Sequence, residues 1–260
     1  MTPTRDSTSI APARPMPRRL AFLARGVVGF TILSLAGFAP WAAFGSWLSA
    51  RVGEVGLYLT CAAVFLGLSG PLLSGLIVGP QPKRRVYLVF APAFAAYAVL
   101  WIAGWFALKG VWHGHAGSLG GLLAGTLAMG WILATSFSVR NLGWQIVLIL
   151  FALNTAGYFI GGWLEMATFT YAKTHGISAG LSRHAWGVIA KSLWGLCYGL
   201  GFGTGIGWAF YVCQRLNLEV GVGCLRLGWV GEVGASGFPL IGGFHEDGGE
   251  EAEVGRFVGE

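Results

Sequence analysis

The sequence contains little charge: Asp, Glu, Lys and Arg make up 11% of its 260 residues, against about 25% in a typical soluble domain. Acidic residues are the scarcest, since only Asp6, Glu54 and Glu165 occur before residue 200. Hydrophobic residues make up 55% of the chain. This composition indicates membrane spans rather than a large soluble core. The net charge of +6 is better explained by loop charges that set the orientation of the spans than by nucleic-acid binding.

Cysteine is also scarce, and its spacing carries no metal or disulfide signal. The four cysteines are Cys61, Cys197, Cys213 and Cys224, and none belongs to a CxxC pair. This excludes a disulfide framework and a zinc knuckle. We expect these cysteines to act as small apolar packing residues.

Motifs that would identify common membrane enzymes and pumps are missing. No ionisable residue lies at the centre of any predicted span, which argues against a proton-driven pump. Neither a Walker-type phosphate loop nor paired cytoplasmic carboxylates are present. The string from Gly67 to Gly70 places Ser69 in a GxSG pattern, but no predicted span contains a histidine that could activate it. We therefore interpret Ser69 as part of a packed helix rather than as a nucleophile.

Six apolar stretches are each long enough to cross a bilayer as a helix. They predict an all-α, polytopic integral membrane protein, with a six-helix transmembrane bundle over residues 20–214. A basic tail over residues 1–19 and a Gly-rich, acidic tail over residues 215–260 are expected to be disordered. The predicted spans are about 26–48, 55–78, 86–108, 118–137, 144–164 and 192–213.

The distribution of basic residues predicts that both termini are cytoplasmic. With the N-terminus inside, the inside segments hold the arginines of the first tail, the cluster Lys83–Arg85, Arg140 and Arg215. The loop 165–191, predicted as the longest, is an exception because it is basic and outside. Within it, Ser182 is expected to cap a helix that leads into the last span. The short loops and basic N-terminus indicate a bacterial inner (plasma) membrane.

The last predicted span holds a regular series of glycines. Gly195, Gly199, Gly203 and Gly207 recur every four residues, so they lie on one face of a helix. Such small-residue faces let two membrane helices approach closely. We call these four residues the glycine face. It is predicted to be a packing surface, either within the bundle or toward a second copy or a partner subunit. Lining of a pore or ligand groove is the alternative.

Three polar residues near the middle of predicted spans form a candidate binding site. Ser69 precedes Pro71 in the second span, and Asn154 and Thr155 lie in the fifth. Transporters built from inverted repeats bind substrate where corresponding helices are interrupted, and a kink or break is expected at Pro71. The alternative is that these side chains make hydrogen bonds between packed helices.

Four histidines are all predicted in outside loops, where they could converge on a metal ion: His113, His115, His175 and His184. They are weak candidates for a metal site. They support the alternative of a membrane enzyme with a metal centre. The leading prediction is non-enzymatic: a protein that passes or binds a small neutral or apolar solute, or a membrane subunit of a larger assembly. The sequence specifies no cofactor, and its predicted partners are the lipid bilayer and a protein docked on the glycine face.

Overall fold

The computed structural model describes residues 19–108, 110–175 and 180–219, apart from the side chains of residues 113 and 216–219. This part of the chain is helical and contains no strand, so the prediction of an all-α fold is confirmed for it. Both predicted disordered tails lie outside it, except that Arg19 begins the first helix and 215–219 complete the last one. The helices are α1 (Arg19–Leu73), α2 (Pro82–Leu108), α3 (His115–Ser136), α4 (Gly143–His175) and α5 (Arg183–Glu219).

All five of these helices are long and apolar enough to cross a membrane. The first is 55 residues long and is interrupted at Gly53, whose φ of 72° and ψ of 174° are not helical. Glycine tolerates a positive φ because it has no Cβ. The predicted first span (26–48) lies within α1 before Gly53, and the predicted second span (55–78) begins in α1 after Gly53 and extends past the end of α1 at Leu73. We call residues 19–52 its first arm and residues 54–73 its second arm.

The two arms of α1 fold back on each other. The rings of Phe38 and Phe65 meet edge to face, with centroids 5.1 Å apart. Nearer the ends of the arms, the Arg25 guanidinium donates a hydrogen bond of 3.0 Å to the Gly75 carbonyl. Gly53 therefore acts as the turn of a helical hairpin.

The helices pack in a ring in which each contacts its neighbours. Helix α5 packs against α1 and α4, and α3 packs against α2 and α4. Helix α2 closes the ring through a sparser contact with α1. One end of the bundle holds the Gly53 turn, the α2–α3 connection and the start of α5, and we call it the Gly53 end. The opposite end is the Gln214 end.

The segment 165–191, predicted as the longest loop, is mostly helical. Helix α4 continues to His175 and α5 already begins at Arg183. The prediction failed because an apolar window ends at the first charges, whereas a helix continues until a residue breaks it, and 165–175 contain neither Gly nor Pro. The Ser182 cap is confirmed, since its hydroxyl accepts a 3.1 Å hydrogen bond from the Ala185 N–H.

At the Gln214 end, one buried side chain makes hydrogen bonds to the backbone of the connection between α1 and α2. The Gln214 Oε1 accepts a 2.7 Å hydrogen bond from the Val78 N–H, and its Nε2 donates one of 2.7 Å to the Leu76 carbonyl. These backbone groups follow the last turn of α1 and would otherwise be buried without partners. Gln214 thus ties α5 to the α1–α2 connection.

Candidate functional site

The glycine face of α5 lies against the first arm of α1. A Cβ added at Gly203 would lie 2.6 Å from the Gly26 carbonyl oxygen, and one added at Gly207 would lie 2.7 Å from the Phe22 carbonyl oxygen. Real Cβ atoms do not approach so closely, so the two backbones are in contact here. Because α1 covers this face, a partner helix would have to displace α1. Association through the face stays a prediction.

A second set of small residues brings α4 against the other side of α5. A Cβ at Gly157 would lie 2.6 Å from the Cys197 carbonyl oxygen, and one at Gly161 would lie 2.9 Å from the Trp194 carbonyl oxygen. Gly201 of α5 lies against Leu153 in the same way. Helix α5 is therefore held between α1 and α4 by backbone contacts on two faces.

The three predicted polar residues have separate surroundings. The Ser69 hydroxyl is buried and donates a 2.8 Å hydrogen bond to the Leu66 carbonyl of its own helix. The Thr155 hydroxyl is buried and has no hydrogen-bond partner among the described residues.

Helical geometry continues through Pro71 to Leu73, so the predicted break at this proline is wrong, and a kink there stays a prediction. Pro71 has no N–H to bond the Gly67 carbonyl, and the Tyr87 hydroxyl donates a 2.6 Å hydrogen bond to that carbonyl instead.

Asn154 instead belongs to a buried cluster of hydroxyl groups between α2, α4 and α5. Its Nδ2 donates a 2.9 Å hydrogen bond to the Tyr97 hydroxyl, and the Tyr198 hydroxyl donates one of 3.2 Å to the same oxygen. The Asn154 Oδ1 is buried with no partner in the part of the chain that the structure describes. Nearby, the hydroxyls of Tyr158 and Ser118 lie 3.2 Å apart.

Two neighbouring cavities extend from this cluster toward the Gly53 end. The inner cavity, of about 100 Å³, is lined by thirteen residues that include Tyr97 and Tyr198; nine are aromatic and none is charged. The outer cavity, of about 250 Å³, is lined by eleven residues, of which eight are aromatic. Both walls contain Phe38, Tyr58, Cys61, Trp101, Tyr158 and Trp194. The two cavities therefore form one aromatic recess between α1, α2, α4 and α5.

Polar groups are few in this recess. Among the residues that the structure describes, Glu165 of α4 is the one charged residue that lines it, and it is half-buried. The indole Nε1 of Trp101 is buried and has no hydrogen-bond partner among the described residues. A solute in the recess would thus meet mainly aromatic rings and the Glu165 carboxylate.

Lys191 lies beside the recess and is bound to one of its rings. The Lys191 ammonium donates a 3.3 Å hydrogen bond to the Trp41 carbonyl and lies 4.5 Å from the centroid of the Trp41 ring. Its positive charge also acts on Glu165. The rim of the recess therefore carries one negative and one positive group.

The candidate histidine ligands do not converge. His115 packs against Phe159, and the His175 ring stacks on Tyr171. Within residues 19–108, 110–175 and 180–219, no group of three His, Cys, Asp or Glu residues could hold a metal ion. The side chain of His113 lies outside the described part.

The spacing of aromatic residues in α2 is a sequence signal for the recess, and hydropathy alone does not detect it. Phe90, Phe94, Tyr97, Trp101 and Trp105 follow one another at intervals of three or four residues, which places them on one face of α2. Glu165 carried no such signal because it lies just beyond the predicted fifth span.

Compared with known protein families, with curated proteins and with solved structures, the chain matches none of them.

Proposed function

We propose that this chain is an integral membrane protein with six spans, and that its aromatic recess binds a small, largely apolar solute. The six spans are the two arms of α1 and helices α2 to α5. We place it in a bacterial inner membrane with both termini cytoplasmic, so the Gly53 end faces outward. The observation that carries the proposal is the recess, whose walls are mostly aromatic.

The size and chemistry of the recess support this class of solute. Ligand pockets are mostly apolar with a few placed polar groups, as here. An apolar cavity of about 150 Å³ is large enough to take up benzene. The outer cavity of about 250 Å³ therefore accommodates a single ring with a short side chain.

Binding can be tested with 2-(4-fluorophenyl)ethanol, followed by ¹⁹F NMR on the detergent-solubilised protein. From about 0.5 kcal/mol per heavy atom, we expect a Kd on the order of 0.1–1 mM. Cys61 lines both cavities, so Cys61→Phe should fill the recess and abolish binding. Leu59→Phe is the matched control because Leu59 is 65% exposed. Equal binding by both variants would refute the site.

The orientation can be tested by labelling single cysteines in intact cells. Leu181→Cys lies at the Gly53 end and Lys83→Cys follows the α1–α2 connection, and both positions are exposed. We expect a membrane-impermeant maleimide to react with the first and to reach the second only after lysis. The reverse pattern would contradict the proposed topology.

A further inference from the structure

We infer that the solute is an amphiphilic organic cation, with its ammonium head beside Glu165 in the outer cavity and its apolar end directed toward the inner cavity. This inference rests on the proposed function and specifies the chemical class of its ligand. It depends on the charge of Glu165, on the aromatic rings that surround that charge, and on the contact between Lys191 and Trp41.

The first argument is the position of the single carboxylate. Glu165 lines the outer cavity and is absent from the wall of the inner one. A half-buried carboxylate among aromatic rings loses hydration, and an opposite charge compensates that loss. The nearby Lys191 ammonium directs its hydrogen bond to Trp41 rather than to Glu165. The cavity therefore offers a carboxylate to a second cation.

The second argument is the composition of the wall around Glu165. Eight of the eleven residues that line the outer cavity are aromatic. The faces of Trp, Tyr and Phe rings attract ammonium groups, and cages of such rings recognise organic cations. One ring at this cavity already accepts an ammonium, since the Lys191 Nζ lies 4.5 Å from the centroid of Trp41.

The third argument is the difference between the two cavities. Among the described residues, the wall of the inner cavity contains no charged side chain and is formed by aromatic rings and small apolar side chains such as Ala62 and Ala98. It would exclude an ammonium head, and at about 100 Å³ it accepts the apolar end of a solute rather than a whole ring. A ligand that fills both cavities is therefore charged at one end only.

In this arrangement, the Lys191 side chain competes with a free cation for the same groups. Its ammonium occupies one face of Trp41 and reduces the negative potential of Glu165. Removal of this charge should strengthen the binding of a free cation. Arg51 provides the control, because its guanidinium lies 5.0 Å from the ring of Trp47 at the same end without lining either cavity.

The experiment compares three ligands of matched shape by ¹⁹F NMR at pH 7.5: 2-(4-fluorophenyl)ethylamine, 2-(4-fluorophenyl)ethanol and 4-fluorophenylacetate. In the full chain, we expect the amine to bind about tenfold more tightly than the alcohol, and the acetate more weakly than either. Glu165→Gln should reduce the preference for the amine over the alcohol to less than twofold, chiefly by weakening amine binding. Glu54→Gln is the matched control, because Glu54 is exposed and lines neither cavity.

The outcomes separate the inference from the function on which it rests. Alcohol binding without preference for the amine overturns the inference and leaves the proposed function standing. If neither the alcohol nor the amine binds, the proposed function is refuted. A preference for the amine that survives Glu165→Gln overturns the role of Glu165. If Glu165→Gln does not fold, Lys191→Met decides: a gain of about threefold in amine affinity, absent in Arg51→Gln, supports the inference, and no gain overturns it.

Discussion

Replacement of single glycines along α5 by alanine should affect stability with a sign that depends on position. At Gly203, an added Cβ would lie 2.6 Å from the Gly26 carbonyl oxygen and 3.1 Å from the Phe30 Cβ. Neither α1 backbone atoms nor the buried Phe30 can move freely. At Gly187 of the same helix, an added Cβ would meet nothing within 4 Å. The two substitutions thus differ in packing alone.

The expected change in the free energy of unfolding is the balance of two opposing contributions. Overpacking a tight contact costs about 1–3 kcal/mol, while Ala favours a helix over Gly by up to about 1 kcal/mol. Gly203→Ala should therefore lower the free energy of unfolding by about 1–2 kcal/mol, and Gly187→Ala should raise it slightly. Gly195→Ala should be tolerated, because its Cβ would lie at an ordinary contact distance of 3.7 Å from the nearest atom, in the Phe38 ring.

Thermal unfolding in detergent can be followed with a fluorogenic thiol reagent. Cys213 is buried and should react only on unfolding, and a background with Cys61→Ser, Cys197→Ser and Cys224→Ser removes the signal of the other three cysteines. We expect Gly203→Ala to lower Tm by a few degrees, with Gly187→Ala unchanged or higher. A Gly203→Ala protein as stable as the Gly187→Ala protein would show that the α1–α5 contact is not close.

Three further predictions concern single polar contacts. Gln214→Leu should lower the free energy of unfolding by about 2 kcal/mol, measured by the same thermal assay, because the Val78 N–H and the Leu76 carbonyl lose their partner. A double-mutant cycle of Asn154→Ala and Tyr97→Phe should give a coupling of about 0.6 kcal/mol, typical of hydrogen bonds between membrane helices; zero coupling would contradict this contact. Ser182→Ala should cost about 1 kcal/mol through loss of the cap on α5, whereas Ser182→Asp should retain stability.

Sequence spacing predicted the close-packed surfaces better than it predicted the polar site. Glycines four residues apart identify a face without side chains whatever covers it, but the spacing does not say that α1 is the covering helix. Ser69 looked like a midplane ligand from its position, yet a serine in a helix can donate to a carbonyl three or four residues earlier, and Ser69 does so. Asn154 bonds to Tyr97, which is distant in sequence, so no local pattern identifies the pair.

The cavity residues show a different limit. Glu165 was assigned to a loop because hydropathy ends a span at its first charge, although the helix continues for ten more residues to His175. Its contact with the recess depends on how α4 packs against α5. That packing rests on the backbone contacts of Gly157 and Gly161 with α5, which no single segment encodes.

The position of the recess follows from how the distance between α1 and α5 changes along the glycine face. The contacts of α5 with α1 are tight at Gly199, Gly203 and Gly207, where an added Cβ would meet α1 backbone atoms. They relax at Gly195, where the nearest atoms are side-chain atoms of Phe38, Leu35 and Ser34. The two helices therefore diverge toward the Gly53 end. The gap admits the rings of Phe38 and Trp194, whose centroids are 4.8 Å apart, and these rings line the cavities without filling them. The glycines thus fix where α1 and α5 meet, and so determine where the two helices separate enough to leave a recess. The aromatic residues line that recess.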